Sequence, residues 1–449
     1  MTNSTAVAQP LNNLVESDEK FENIELYPSD SHEVGSEETD GIVAPDGGYG
    51  WVVVACAFFA LFASYGLINA FGVFATYYSD EMFTSVSSAK IALIGTLQIA
   101  ALNIPGPLIG YASEVYGYRL VIFIGGVLIG AGMIIASFAT ANSIWLLLVA
   151  QGVVVGLGAG CCVTSSVSIP SQWFDKRRGL ATGIAFTGSG LGGVVFAPVT
   201  QRLLDSVGVG WAMRILGIIC FVLISASAFF IRTVVPPTPR KSLMEWKMLK
   251  NGNFLLVCLF NVVSFASVFV PYVYLSLFAT KNGYTAATGA TLVALINVGS
   301  TIGRVGGGLL ADKFGNLNFN FLTAFLCSIV FFCFWLPAST INPTSSLGLL
   351  IAFSLTYGLT NGAQIVMLPL VLGQCFGVNQ LATLVGASLL AGAIGVLPGT
   401  PGAGALLDGP GDGHNFTPLI LYSGFILLLA SLLALLLRFS YSRKIKTVI

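Results

Sequence analysis

From Tyr49 onward the chain repeats one unit: an apolar run of roughly 20 residues followed by a short polar turn, the length that crosses about 30 Å of hydrocarbon. The runs fall near 49–74, 90–112, 120–140, 145–169, 180–203 and 212–234, then 253–279, 286–311, 318–337, 346–370, 379–403 and 417–438. In lipid every backbone N–H and C=O has to be paired within the chain, so runs of this length are helices. They predict an all-α polytopic membrane protein with 12 transmembrane helices in two six-helix halves. Composition agrees. Of 449 residues, 55% are hydrophobic and 9% charged, against about 25% charged in soluble domains. The mean hydropathy is +0.85.

The net charge of zero conceals a segregation. Residues 1–40 hold ten of the twenty acids and a single base, Lys20. This stretch has no apolar core behind a basic start, so it reads as a disordered acidic tail and not as a cleaved signal peptide. With the N-terminus inside, fifteen of the twenty Lys and Arg residues fall in inner segments and four in outer ones. That bias places both termini in the cytoplasm. The expected organisation is an acidic tail over 1–44, a first half over 45–235, a central cytoplasmic loop over 236–251, a second half over 252–439 and a basic tail over 440–449.

An internal echo supports the two halves. Gly110, Glu114 and Gly117 follow span 2, and Gly308, Asp312 and Gly315 follow span 8, offset by 198 residues. Arg119 and Lys313 stand beside them. Glycine allows a tight turn and close helix contact, and a carboxylate can accept from an arginine or from a neighbouring helix N-terminus. A pair of such turns can latch one half against the other until the bundle rocks.

Catalytic and cofactor chemistry finds no support. The eight cysteines lie in or beside apolar runs without a Cys-x-x-Cys pair, and there are two histidines, His32 and His414. No metal site or disulfide framework is expected. The glycine-rich strings lie in membrane runs and do not open a βαβ unit or precede Lys-Ser/Thr, so nucleotide binding is rejected. No paired acids or nucleophile–base set appears, and the chain is expected to be no enzyme, with no cofactor and no nucleic-acid partner.

The echoed turns resemble the signature of the major facilitator superfamily, with Glu114 for the usual aspartate in the first copy and no final base in the second. Asp46-Gly47-Gly48-Tyr49-Gly50-Trp51 and Trp173-Phe174-Asp175-Lys176-Arg177-Arg178-Gly179, with Gly188-Ser189 beyond, are similar to two signatures of its monocarboxylate porter branch. The short central loop and acidic tail are closer to fungal members. Read without the resemblance, Tyr49 and Trp51 are interfacial anchors and Lys176 to Arg178 face anionic lipid headgroups.

Deep in the spans one charged side chain stands out, Arg304, eight residues before Asp312 and so about 12 Å from that turn. Burying it costs roughly 2.5–3.5 kcal/mol on insertion scales, so it is expected to face a cavity. Asn297, Ser300 and Arg304 share a helix face, as do Tyr357, Asn361 and Gln364 in span 10 and Tyr65 and Asn69 in span 1. These are the candidate substrate-binding residues. The candidate gating residues are Asp46, Gly110, Glu114, Gly117, Arg119, Asp312, Lys313 and Gly315. The resemblance implies that Arg304 binds a substrate carboxylate. It also exposes two departures: Asn69 stands where animal members have a lysine, and Ser300 where they have an aspartate. With no titratable partner deep in a span, the proton coupling of that branch is in question, and a co-transported proton is left open.

The resulting expectation is a secondary transporter that moves a small carboxylate-bearing acid by alternating access, in contact with membrane lipid, in the plasma membrane or alternatively the vacuolar membrane. The alternatives are export of a fungal secondary metabolite, import of a vitamin such as riboflavin, or a non-transporting sensor on a transporter scaffold.

Overall fold

The computed structural model describes residues 44–83, 88–140, 143–237, 248, 250–341, 343–411 and 415–441. The acidic tail, most of the central loop, the basic tail from 442 onward and both histidines lie outside the described residues.

Long apolar helices account for nearly all of the described chain. They are α1 (Gly50–Tyr77), α2 (Lys90–Asn103 and Gly106–Tyr116), α3 (Tyr118–Ala136), α4 (Ile144–Trp173), then a stretch Arg178–Phe230, α7 (Gly252–Lys281), α8 (Ala287–Phe314), α9 (Asn316–Thr340), α10 (Ser346–Phe376), α11 (Leu381–Asp408) and α12 (Thr417–Tyr441). The two parts of α2 meet at 44°, where Pro105 supplies no N–H to the helix. Arg178–Phe230 is 53 residues long, about 80 Å of helix and too long for a single crossing. Gly208, at φ 75° and ψ 168°, breaks it into α5 (178–207) and α6 (209–230). Nine single-crossing helices, the bent α2 and the two parts of Arg178–Phe230 give, among the described residues, the twelve spans expected from the sequence.

Lipid tails are as apolar as leucine, so helices in a bilayer associate through close packing and not through a hydrophobic drive. The glycines provide that closeness, in a pattern that repeats. Gly188 and Gly192 of α5 lie on the Phe58 and Phe62 carbonyls of α1, as Gly395 and Gly399 of α11 lie on Val262 and Ala266 of α7. Gly156 and Gly160 of α4 lie on α2, as Gly358 and Gly362 of α10 lie on α8. Gly217 of α6 meets Met133 of α3, and Gly424 of α12 meets Phe332 of α9. A few buried polar bonds add to this, among them Tyr78 Oη to Gln151 Oε1 at 2.6 Å and Ser267 Oγ to the Ser423 carbonyl at 3.0 Å.

The first six helices meet the last six along two seams. Gly106 and Gly110 of α2 lie on Gly386 and Ala382 of α11, and Gly179 and Gly183 of α5 lie on Gly308 and Arg304 of α8. The echoed turns stand at one end of these seams. Their second glycines share a backbone conformation, Gly117 at φ 96° and ψ 139° and Gly315 at φ 83° and ψ 140°, that a Cβ strongly disfavours. Replacing Gly315 with alanine is therefore expected to cost about 1–3 kcal/mol, read as a lower melting temperature of the purified protein. Gly252→Ala, at a site with open space around it, is the control.

Candidate functional site

The two signature stretches of the sequence form one assembly. Asp46 takes φ 49°, a conformation that aspartate tolerates better than most residues. Its Oδ1 accepts from the backbone N–H groups of Asp175 and Lys176 at 2.8 and 2.9 Å, and its own N–H donates to the Trp173 carbonyl at 2.9 Å. The Trp51 and Phe174 rings lie 4.8 Å apart and the Tyr49 and Trp173 rings 5.9 Å apart. Tyr49 Oη donates to the Phe230 carbonyl and Trp173 Nε1 to the Arg232 carbonyl, while the Arg232 guanidinium sits 4.7 Å above the Tyr49 ring. The entry to α1 is thus tied to the α4–α5 turn and to the exit of α6.

The echoed acids cap helices across the seams. Asp312, at the end of α8, accepts from the N–H groups of Gly179 at 2.7 Å and Leu180 at 3.0 Å. These are unpaired donors of the first turn of α5. Glu114, near the end of α2, accepts from the Thr383 N–H at 3.1 Å and from Thr383 Oγ1 at 2.6 Å, at the start of α11. In both, a buried or half-buried carboxylate meets the positive end of a helix dipole. The echoed glycines make this possible, since a Cβ at Gly308 or Gly110 would collide with the Gly179 or Ala382 carbonyl. Arg119 and Lys313 are exposed, with Arg119 4.8 Å above the Phe229 ring. Arg178 pairs with Asp175 at 3.1 Å.

Further into the bundle, Arg304 of α8 reaches across to α5. Its Nη1 donates to the Phe186 carbonyl at 2.9 Å and to Ser189 Oγ at 2.6 Å. Glycine at position 190 admits it, because a Cβ there would stand 3.0 Å from Nη1. The phenols of Tyr65 in α1 and Tyr272 in α7 lie within electrostatic reach of the guanidinium. Asn361 of α10 donates through Nδ2 to Tyr272 Oη at 3.3 Å, and Ser300 lies beside the same phenol. Among the described residues, three buried atoms of this cluster have no hydrogen-bond partner: Arg304 Nε, Ser300 Oγ and Asn361 Oδ1. Unpaired buried polar atoms are costly. Five helices, α1, α5, α7, α8 and α10, therefore converge on one cation, one hydroxyl and one amide oxygen with hydrogen-bonding capacity to spare.

The remaining candidates divide. Asn69 is exposed, one turn beyond Tyr65, with its amide against Gly193 of α5. Asn297 is exposed and donates to the Val293 carbonyl of its own helix. Tyr357 is fully buried, donates to the Val268 carbonyl at 2.7 Å and packs among Phe331 and Phe353. Gln364 donates to Asn320 Oδ1 at 2.8 Å and accepts from Thr323 Oγ1 at 2.7 Å. The span 10 stripe is thus not a single surface in its bonding, since Asn361 alone of the three joins the Arg304 cluster and the other two bond helix to helix. Sequence reasoning passed over Tyr272, which lies in an apolar run after Pro271 with no polar stripe to flag it. Ser189 was visible only as part of a motif.

Residues 53–400 match the profile of the Major Facilitator Superfamily. The chain is 31% identical over 399 residues to MFS-type transporter 1 of Ophiocordyceps sp., covering 88% of this chain and 87% of that relative. It is 31% identical over 395 residues to the aspyridones efflux protein apdF of Emericella nidulans, covering 87% of this chain and 78% of the relative. Among solved structures, the proton:xylose symporter XylE bound to 6-bromo-6-deoxy-D-glucose superposes with a TM-score of 0.69 at 16% identity, over 89% of this chain and 98% of that one. At this identity the likeness shows the fold alone.

The caps make a positional prediction. Asp312→Ala leaves two helix N–H groups without their acceptor, a loss of about 1–3 kcal/mol. Backbone hydrogen exchange should then quicken by about tenfold or more at the start of α5 and not at the start of α11. Glu114→Ala should do the converse. Exchange read by mass spectrometry over residues 178–182 and 381–385 checks both.

Proposed function

The chain belongs to the major facilitator superfamily and is a transporter, and we propose that it exports an amphipathic acidic metabolite by alternating access. The observation that carries this reading is the Arg304 cluster, in which a half-buried guanidinium with an unpaired Nε stands beside the unpaired Ser300 Oγ and Asn361 Oδ1. A planar, permanently charged fork suits a carboxylate or an acidic enol. The neighbouring hydroxyl and amide suit a polar group next to the acid. Import of a small organic acid uses the same arginine, but the relatives favour export: one that matches most of this chain is named for efflux of aspyridones. The signature stretches around Asp46 and Trp173 keep the monocarboxylate porter branch as the narrower affiliation.

In this reading the end with Asp46, Glu114 and Asp312 faces the cytoplasm and is closed by the two caps, and release from the caps opens the path inward. The cargo's acid competes with the Phe186 carbonyl and Ser189 for Arg304. Binding therefore loosens one contact between α8 and α5, the pair that Asp312 also joins.

Two outcomes test the reading. In a transporter-deleted host loaded with a panel of labelled acidic metabolites, Arg304→Ala is expected to reduce efflux of the accepted cargo at least about tenfold, the loss of one charge-assisted hydrogen bond. Arg304→Lys, a point charge without the fork, should recover only part. Normal expression of Arg304→Ala with efflux of every cargo unchanged sinks the substrate role of Arg304. The side chains around the guanidinium are Tyr65, Ser189, Tyr272, Ser300 and Asn361, none of which ordinarily titrates near neutrality. Binding of a permanently charged aryl sulfonate to the purified protein should therefore change by less than about twofold between about pH 5 and 8. A steeper dependence would place a titrating group at the site.

A further inference from the structure

A cavity of about 560 Å³ opens between the last turns of α1 and the first turns of α2, at the end of the bundle away from the caps. Gly72, Thr76 and Ser79 form one wall and Ala92, Thr96 and Ile99 the other. The Phe71 ring also lines it and packs closely on α2 because position 95 is glycine: a Cβ there would stand 2.5 Å from the ring. At position 72, in contrast, a Cβ would meet nothing within 4 Å. The volume lies in the range of small-molecule sites, and the lining is apolar with a few hydroxyls.

The α1 wall is in register with a residue of the Arg304 cluster. On α1, Gly72 and Thr76 are seven and eleven residues beyond Tyr65, hence on its face of the helix. Tyr65 itself lies within reach of Arg304. The α1 wall of the cavity therefore shares a helix face with Tyr65, a neighbour of the polar cluster. Seven residues of helical rise put Gly72 about 10 Å from Tyr65 along α1.

We propose that this cleft is the subsite for the apolar body of the cargo, whose acidic group is held at Arg304, a neighbour of Tyr65 about 10 Å further along α1; the proposal rests on the export reading above. The occupant is then a molecule with an acid at one end and an extended apolar portion at the other. Length is a selection criterion: a short acid fills the polar cluster alone and leaves the cleft unused.

The test uses the full chain in lipid nanodiscs and two acids that differ only in reach, phenylacetate and 8-phenyloctanoate, with binding measured by calorimetry. The parent is expected to bind the long acid at least about tenfold tighter than the short one, from the extra buried methylenes. Gly72→Leu fills the cleft from α1 and Ala92→Leu fills it from α2, and each should bring the ratio of the two affinities to within about twofold of one. The second variant keeps the test decisive should the first fail to fold. A parent ratio near one, or a ratio that survives both substitutions, overturns the subsite. Equal binding of the neutral 8-phenyloctanol overturns it too, because the cleft would then be a seat for lipid chains. Arg304→Gln should weaken both acids by the same factor and leave their ratio intact. If it changes neither affinity, the anion-binding reading of the preceding subsection falls, whereas a ratio insensitive to both leucines removes the cleft alone.

Discussion

A carboxylate capping the start of a helix is a common surface device, but here two of them span the seams of a membrane bundle. Asp312 takes two N–H groups of α5 and Glu114 takes the N–H and hydroxyl of Thr383 in α11. Buried at the seams, the Gly179 and Thr383 donors have few other partners, so the acids satisfy backbone need and join the halves in one contact. The geometry around them follows. The paired glycines exist to let the backbones come close enough, and the second glycines adopt the turn that aims α3 and α9 back into the membrane. Because both copies do the same thing, the bundle is held at one end by two equivalent contacts.

The same seam carries the charge at the centre of the proposed site. Arg304 stands two turns from Asp312 on α8 and bonds into α5 at Phe186 and Ser189. An arginine at this depth is tolerable only if its donors are used, and two acceptors on α5 take one of its nitrogens. What stays unpaired is Nε, on a side chain within electrostatic reach of Tyr65 and Tyr272. A ligand that completes this cluster draws on an arginine already committed to the contact between halves. Recognition and conformational change are thus expected to share a residue, with no relay needed between them.

Much of this architecture was legible in the sequence because it depends on one-dimensional quantities. Run length sets the spans, and the offset of 198 residues sets the repeat. The acid-to-helix-start contact was an expectation from chemistry alone. The inner cluster was less legible. Arg304 announced itself by its cost, but helical periodicity assigns a face and cannot say what the face meets. Tyr357 and Gln364 share a stripe with Asn361, yet they turn to α7 and α9 and are consumed there. Tyr272 gave no periodic signal, since a phenol in an apolar run looks like packing until α10 and α8 are brought beside it. The gap is one of tertiary partnership, and only the bundle supplies it.

The Asp46 contact has a consequence for how the molecule is made. Asp46 lies 130 residues before Lys176, Asp312 follows Gly179 by 133, and Glu114 precedes Thr383 by 269. At about 5–20 residues per second of synthesis, the acceptor at Asp46 waits roughly 7–26 s for its donors, and the one at Glu114 waits about twice as long. During that interval the entry turn of α1 is untied, and α2 carries an uncapped acid at its end. The order of closure is therefore written into chain position: entry turn first, then the α5–α8 seam, and the α2–α11 seam last. A nascent chain arrested before Thr383 emerges would hold two of these three ties, a half-fastened intermediate on which quality control or a chaperone of membrane insertion can act.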